Sequence, residues 1–254
     1  MKKILKLIVI GLLSFKMGVL LGLGVTYSVY QSANPPTVGE ITDIDNVQNS
    51  LSTGAKRAVR KSRSSVVRIM SLSEDQQVFS SATGTYLTAY GKYYVLTVNH
   101  AIQGPCELTR VEASDEFVGC VKFIKLDSYS DYALVEIDKL ETRTPLRVPR
   151  DLATSPQDFS IMTDVYYTGY PNGTGPLTID GKIIGYMGGD FIYVKSYAWS
   201  GSSGGGVFSS SGKLIGYVLA LDVGQTEFGI EVLENIVFVV PITVVRWDAL
   251  REAR

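Results

Sequence analysis

The chain divides into three stretches by its pattern of hydrophobic and polar residues. Residues 4–30 are almost all apolar and carry a charge only at Lys6 and Lys16. A polar stretch with two adjacent prolines follows, up to about residue 53. From residue 65 onward, short β-branched and aromatic runs alternate with Gly, Asn, Asp and Ser. Because such runs bounded by turn residues are typical of β-strands, we predict an all-β domain after an apolar helix.

About a dozen strands are predicted, with no long amphipathic helix between them. They lie near residues 65–70, 81–89, 93–98, 106–112, 117–125, 132–137, 161–170, 177–187, 191–196, 206–208, 214–221 and 236–240. This pattern predicts an antiparallel sandwich or barrel, closed by a helix over residues 243–254. The segment 54–64 carries five basic residues at helical spacing. We interpret it as a solvated helix leading into the domain, with binding of anionic lipid as the alternative.

The apolar run at the amino terminus is long enough to cross a bilayer, which requires about 20 residues. We therefore assign residues 1–30 to a signal anchor or signal peptide, 31–53 to a linker and 54–254 to the folded domain. Lys2, Lys3 and Lys6 favour a cytoplasmic amino terminus and an extracytoplasmic domain. Cleavage of the segment would instead give a secreted protein. A buried helix of a soluble domain is the third interpretation.

Composition limits the classes of partner and cofactor. Hydrophobic residues make up 45% and charged residues 19% of the 254 positions, which is typical of a packed globular chain. The net charge of −1 gives no indication of a nucleic-acid partner. Two cysteines and one histidine are too few for the four ligands of a structural zinc site. We therefore expect no metal and no cofactor.

The segment most indicative of chemistry is a glycine-rich stretch around Ser203, with glycines at 201, 204, 205 and 206. It matches G-x-S-x-G, the nucleophile elbow of α/β-hydrolases, but that fold requires a histidine after the serine. The only histidine, His100, precedes it. The stretch also matches G-x-S-G-G of trypsin-like proteases, in which the chain order is His, Asp, Ser. His100 ends an apolar strand and Asp131 begins one, so both lie in the required order.

From about Gly54 to Arg254, the chain resembles a chymotrypsin-fold serine protease of the HtrA (Deg) kind. The segments Thr97–His100, Ser130–Val135 and Gly201–Gly205 resemble the catalytic signatures of that family, and Gly169–Pro171 resembles its G-x-P turn. The resemblance implies two packed six-stranded antiparallel β-barrels with the site in the cleft between them. It covers a protease domain alone, so we expect no PDZ domain after it.

The resemblance also implies a role for each site residue. Ser203 would be the nucleophile, His100 the general base, and Asp131 the acid that orients the imidazole. The N–H groups of Gly201 and Ser203 would form the oxyanion hole. Ser202 stands where digestive enzymes of the trypsin type carry an aspartate that pairs with a newly cut amino terminus. We therefore do not expect activation by such an ion pair.

Residues expected to line the primary substrate pocket carry no charge. They are Tyr197, Ala198, Val218, Leu219 and Ala220. We predict a small or medium apolar side chain before the cleaved bond. Separately, Cys106 and Cys120 bracket a predicted hairpin, so they form either a cross-strand disulfide or two buried thiols.

The leading functional hypothesis is a membrane-tethered serine endopeptidase that cleaves polypeptides outside the cytoplasm. A trypsin-fold binding module without activity is one alternative, although His100, Asp131 and Ser203 are all present. A virus-encoded assembly protease is the other.

Overall fold

The computed structural model describes residues 50–188, 191–226 and 229–253. The predicted membrane or signal segment and residues 31–49 of the predicted linker lie outside the described residues. Within the described ranges, no helix is long and apolar enough to cross a membrane. All described elements belong to one compact unit, Val47–Arg254.

The first half of the domain is a closed barrel of six antiparallel strands. These are β1 (Val66–Leu72), β2 (Phe79–Ala89), β3 (Lys92–Thr97), β4 (Thr109–Ala113), β5 (Glu116–Asp127) and β6 (Tyr132–Ile137). The order around the barrel is β1-β2-β3-β6-β5-β4, and pairing of β1 with both β2 and β4 closes it. A two-residue strand, β7 (Leu146–Arg147), adds in parallel to β2.

A tight turn sets the pairing of β2 with β3. Its two central residues, Tyr90 and Gly91, have φ values of 51° and 79°. Two-residue hairpin turns need this left-handed backbone because it matches the twist of the flanking strands. Glycine at the second position adopts that backbone without steric cost.

The second half is another closed six-stranded barrel. Its strands are β8 (Asp164–Gly169), β9 (Leu177–Met187), β10 (Phe191–Lys195), β11 (Gly206–Ser209), β12 (Leu214–Thr226) and β13 (Gly229–Pro241). The order β8-β9-β10-β13-β12-β11 returns to β8. The predicted pair of six-stranded antiparallel barrels is confirmed.

The two barrels pack through apolar side chains of the second barrel. Phe208, Leu214 and Tyr217 belong to the same buried cluster as the core of the first barrel. A separate cluster, which includes Val165, Ile183 and Val207, fills the second barrel.

One helix, α1 (Thr53–Ser65), bridges the two halves in front of β1. The Ser52 hydroxyl caps it by accepting from Ala55 N at 3.1 Å. Lys61 donates to Asp151 at 2.7 Å, and Ser62 donates to Thr168 of β8 at 2.7 Å. The basic side chain of Lys61 therefore ties the helix to the domain, whereas Arg57 and Arg60 are exposed, as expected of a solvated helix face.

Several predicted elements differ from the structure in extent. β12 continues to Thr226 and β13 begins at Gly229, beyond the predicted 214–221 and 236–240. Residues 106–108 form a single helical turn rather than the start of a strand, and β4 begins only at Thr109. The predicted closing helix is reduced to α2 (Ala249–Glu252). An α-helix over the preceding residues would pair Arg246 N with Ile242 O. Instead, Arg246 N donates to Tyr132 Oη, and Ile242 O accepts from Trp247 Nε1.

Candidate active site

His100 and Asp131 meet because the strands beside them are paired. His100 lies in a short turn just after β3, and Asp131 directly precedes β6. The register pairs Thr97 with Ala133, which brings both residues to the same end of the first barrel. Asp131 Oδ1 accepts from His100 N at 2.8 Å, and Oδ2 lies 2.5 Å from His100 Nδ1. The carboxylate therefore holds both the main chain and the ring.

This contact also determines the tautomer of the imidazole. Because an ionised carboxylate only accepts hydrogen bonds, Nδ1 carries the proton and Nε2 is left as an acceptor. The His100 side chain is 55% exposed, whereas that of Asp131 is 23% exposed. The free nitrogen of a half-exposed ring is thus available to a group in the cleft.

Asp131 has a left-handed backbone with φ of 50°, which is uncommon for a residue other than glycine. Hydrogen bonds hold it in that conformation from both sides. Asp127 Oδ1 accepts from Ser130 N at 2.9 Å, and Asp131 O accepts from Asn99 N at 3.2 Å. A residue keeps such an unfavourable backbone conformation where the surrounding hydrogen bonds fix it.

Ser203 lies on a turn that the second barrel presses against the first. Gly204, the next residue, has φ of 87°, and a Cβ atom there would lie 2.1 Å from Thr83 O and 2.5 Å from Thr97 Oγ1. Thr83 N donates to Ser203 O at 2.9 Å. Since Thr97 is three residues before His100, this close approach brings the serine turn to the histidine side of the cleft.

In the part of the chain that the structure describes, the hydroxyl of Ser203 makes no hydrogen bond to His100 or to any other group. The structure therefore brings His100 and Asp131 into direct contact, and it places the turn bearing Ser203 against the strand that leads to His100.

Two of the five N–H groups between residues 201 and 205 make no hydrogen bond to the described residues. The three others donate to carbonyls: Ser202 to Trp199 at 2.9 Å, Gly204 to Val218 at 2.7 Å, and Gly205 to Ser202 at 3.1 Å. Those of Gly201 and Ser203 have no acceptor among the described residues. These are the two donors that the sequence predicts for an oxyanion hole.

Five carbonyls between residues 200 and 205 are bound, which fixes the orientation of the peptide groups in the turn. Ser202 O accepts from Gly205 N at 3.1 Å, and Gly205 O accepts from Val218 N at 2.9 Å. Ser200 O accepts from Asn172 N at 2.6 Å, Gly201 O accepts from Thr83 Oγ1 at 2.6 Å, and Ser203 O accepts from Thr83 N.

Thr83 is a functional residue that the sequence analysis missed. It is fully buried on β2, and its hydroxyl both donates to Gly201 O and accepts from Tyr170 N at 2.9 Å. Its carbonyl accepts from Thr97 Oγ1 at 2.7 Å. In the sequence, the only indication of this role is a threonine next to Gly84 in a predicted strand. The groups that Thr83 contacts become visible only in the folded structure.

Ser202 lies beneath the turn in a network of neutral groups. Its side chain is fully buried, and its Oγ accepts from Trp199 N at 3.2 Å. The Tyr167 hydroxyl donates to Tyr197 O. Burial raises the pKa of Tyr167, while a hydrogen bond with Ser202 acts in the opposite direction. Tyr167 and Ser202 therefore hold the segment before Ser203 without a buried charge.

The predicted pocket residues differ in exposure. Ala198 and Val218 are buried in the core of the second barrel, and Leu219 is partly buried. Tyr197 is 54% exposed and stacks on Trp199, with ring centroids 6.2 Å apart. The backbone of Ala220 pairs with Phe238 on β13. Trp199, which the sequence analysis did not single out, thus forms an exposed aromatic pair beside the turn.

Cys106 and Cys120 form a disulfide with a Cα–Cα distance of 5.2 Å. The bond links the segment that follows His100 to β5. Within the described ranges, no group of three or more His, Cys, Asp or Glu side chains is arranged to hold a metal ion.

Comparison with known proteins identifies the family. The sequence profile of the trypsin-like peptidase domain matches residues 82–216, which is more than half of the chain. The chain belongs to this family. The matched region includes His100, Asp131 and Ser203, and the protein is a trypsin-like serine endopeptidase.

Solved structures show the same fold. The serine endoprotease from Yersinia pestis aligns with a TM-score of 0.60 and 22% identity, over 80% of this chain and 69% of that one. The active form of the Rv3671c protease from M. tuberculosis aligns with a TM-score of 0.58 and 19% identity, over 83% of this chain and 89% of that one. No curated protein matches the sequence.

The close approach at position 204 yields a testable prediction. Gly204→Ala is expected to destabilise the protein and to abolish reaction with an active-site serine probe, because the added Cβ collides with Thr83 O and Thr97 Oγ1. Urea unfolding and the rate of probe labelling measure the two effects.

Gly91→Ala is the matched control, since Gly91 has φ of 79° but no atom lies within 4 Å of its added Cβ. This variant experiences only the backbone strain of about 1–2 kcal/mol and should label at the wild-type rate. If Gly204→Ala and Gly91→Ala lost equal stability and labelled at equal rates, the contact of Gly204 with the first barrel would not be needed for the active geometry.

Proposed function

We propose that His100, Asp131 and Ser203 form the catalytic triad of this endopeptidase, with the N–H groups of Gly201 and Ser203 as the oxyanion hole. The observation that carries the proposal is the contact of Asp131 with both His100 N and His100 Nδ1, at 2.8 and 2.5 Å. It leaves Nε2 as the only ring nitrogen that can accept a proton.

The reaction proceeds in two halves. Ser203 Oγ attacks the carbonyl carbon of the scissile peptide bond while His100 Nε2 takes its proton. His100 then gives that proton to the leaving amine, and the C–N bond breaks to leave an ester on Ser203. Water, deprotonated by the same nitrogen, attacks the ester and restores the serine. Asp131 accepts from Nδ1–H throughout and stabilises the imidazolium that forms at each step.

Negative charge develops on the carbonyl oxygen in each half of the reaction. The two unpaired N–H groups of the turn would donate to it. Because the carbonyls of residues 200, 201 and 203 are already bound, the peptide groups need little reorganisation. A donor of this kind lowers the barrier by about 3–4 kcal/mol.

Labelling with a fluorophosphonate probe tests the triad. The full-length chain, purified with detergent, is expected to form a covalent adduct that mass spectrometry places on Ser203. Ser203→Ala should not label, and His100→Ala should label at least about a hundredfold more slowly because the general base is lost. Ser128→Ala, which removes an exposed serine outside the turn, should label normally.

Persistent labelling of the Ser203→Ala variant would contradict the triad. A folded wild-type chain that does not label would favour the alternative of an inactive trypsin-fold binding module. A virus-encoded assembly protease would share the labelling and differ only in its substrate.

For the substrate, we propose a small or medium apolar side chain before the cleaved bond. Ala198, Val218 and Leu219 flank the turn, and none carries a charge that would attract a basic side chain. Cleavage of a peptide library, read by mass spectrometry, should show enrichment of residues such as Ala, Val or Leu at this position. Preference for Lys or Arg would contradict the proposal.

We also propose that residues 4–30 anchor the protein in a membrane and that the peptidase domain faces an extracytoplasmic compartment. The apolar run and its preceding lysines support this topology. The Cys106–Cys120 disulfide fits an oxidising compartment. A secreted enzyme, released by cleavage of the segment, is the alternative.

Extraction of membranes with alkaline carbonate tests the anchor. The full-length chain should remain in the pellet because a spanning helix resists extraction, whereas a variant that begins at residue 31 should be released. Release of both chains would contradict the anchor. A native protein whose amino terminus lies at the end of the apolar segment, near residue 30, would instead indicate a cleaved signal peptide.

A further inference from the structure

The hydroxyl of Tyr217 joins the two barrels next to the proposed catalytic acid. Tyr217 lies on β12 of the second barrel, and its side chain is fully buried. Its Oη donates to Ser130 O at 2.6 Å. Ser130 belongs to the loop between β5 and β6 of the first barrel, immediately before Asp131. The bond therefore crosses from one barrel to the other at the peptide group that leads into Asp131.

The backbone on each side of that peptide group is also held by hydrogen bonds. Ser130 N is held by Asp127 Oδ1, and Asp131 O is held by Asn99 N. In the peptide group between Ser130 and Asp131, the carbonyl of Ser130 is the group that Tyr217 binds. Because Asp131 has a left-handed φ of 50°, a rotation of the preceding peptide group would redirect its carboxylate away from His100.

The chemistry of the phenol suits this role. Burial raises the pKa of Tyr217, and the nearby charge of Asp131 raises it further, as do Tyr132 and Asp127. The hydroxyl therefore remains a neutral donor under conditions in which the carboxylates are ionised. A neutral donor binds the carbonyl without adding a charge beside Asp131.

The same strand also holds the turn that carries the nucleophile. Tyr217 pairs with Gly206, and the next residue, Val218, accepts from Gly204 N at 2.7 Å and donates to Gly205 O at 2.9 Å. Two consecutive residues of β12 thus contact the two halves of the site, Val218 through its backbone and Tyr217 through its side chain.

We propose that Tyr217 is a positioning residue for Asp131, which aligns the acid–imidazole pair of the first barrel with the serine turn of the second. The inference rests on the proposed triad.

The test compares labelling rates of Tyr217→Phe and of a matched control in the full-length chain. Tyr217→Phe is expected to lower the rate constant for fluorophosphonate labelling about tenfold, the kinetic equivalent of one buried hydrogen bond. Binding of the probe before reaction should be unchanged, so the loss lies in the chemical step. Tyr86→Phe is the control, because Tyr86 is also fully buried and its Oη accepts from a backbone group, Leu140 N, at 3.0 Å.

Tyr86→Phe should label at the wild-type rate, and thermal unfolding should show whether both variants lose comparable stability. A folded Tyr217→Phe variant that labels as fast as Tyr86→Phe overturns the proposal.

A double-mutant cycle with Asp131→Asn separates positioning from general support of the fold. If Tyr217 acts through Asp131, Tyr217→Phe should change the rate less than about twofold in the Asp131→Asn background, because the acid that it positions is already lost. A tenfold loss in both backgrounds overturns the proposal.

Replacement of Tyr217 by 4-aminophenylalanine, which restores an N–H donor, should recover the rate even if the phenylalanine variant does not fold. A folded 4-aminophenylalanine variant whose labelling rate stays low overturns the proposed role of Tyr217.

The controls keep this inference distinct from the triad itself. A wild-type chain that does not label, or a Ser203→Ala variant that does, contradicts the triad. Normal labelling that depends on Ser203, together with an unaffected Tyr217→Phe variant, contradicts only the role of Tyr217.

Discussion

The geometry of the site depends on the contact between the serine turn of the second barrel and strands β2 and β3 of the first. That contact is possible because position 204 has no side chain, since a Cβ atom there would overlap Thr83 O and Thr97 Oγ1. Thr83 then bonds to the turn at two points, Gly201 O and Ser203 O. A packed interior does not deform continuously, so this contact fixes the relative placement of the two halves of the cleft.

Hydrogen bonding within the turn decides which backbone groups remain available for chemistry. Between residues 201 and 205, three N–H groups and four carbonyls have partners, whereas the N–H groups of Gly201 and Ser203 have none among the described residues. Unpaired donors are costly in a folded protein unless water or a ligand satisfies them. The two donors lie on either side of Ser202 in a turn whose other groups are held, which supports the proposed oxyanion hole.

The support beneath the turn consists of neutral groups. Ser202 accepts from Trp199 N, and Tyr167 donates to Tyr197 O from the interior of the second barrel. Neither bond requires a new amino terminus or an ionised partner. The segment before Ser203 is thus held without a charged pair. Tyr217 supplies a comparable neutral bond on the other side of the cleft, to Ser130 O.

The sequence by itself determined the fold class, the approximate strands and the chain order of His100, Asp131 and Ser203, because these depend on local composition and on a short motif. It did not determine the end of β12, the start of β13, the extent of the last helix, or the contacts of Thr83, Tyr167 and Tyr217. Each of these three side chains acts through a hydrogen bond to a segment at least 30 residues away in the chain. Only the closure of two barrels and their packing decide which distant carbonyl a buried hydroxyl meets, and therefore which groups of the turn remain free.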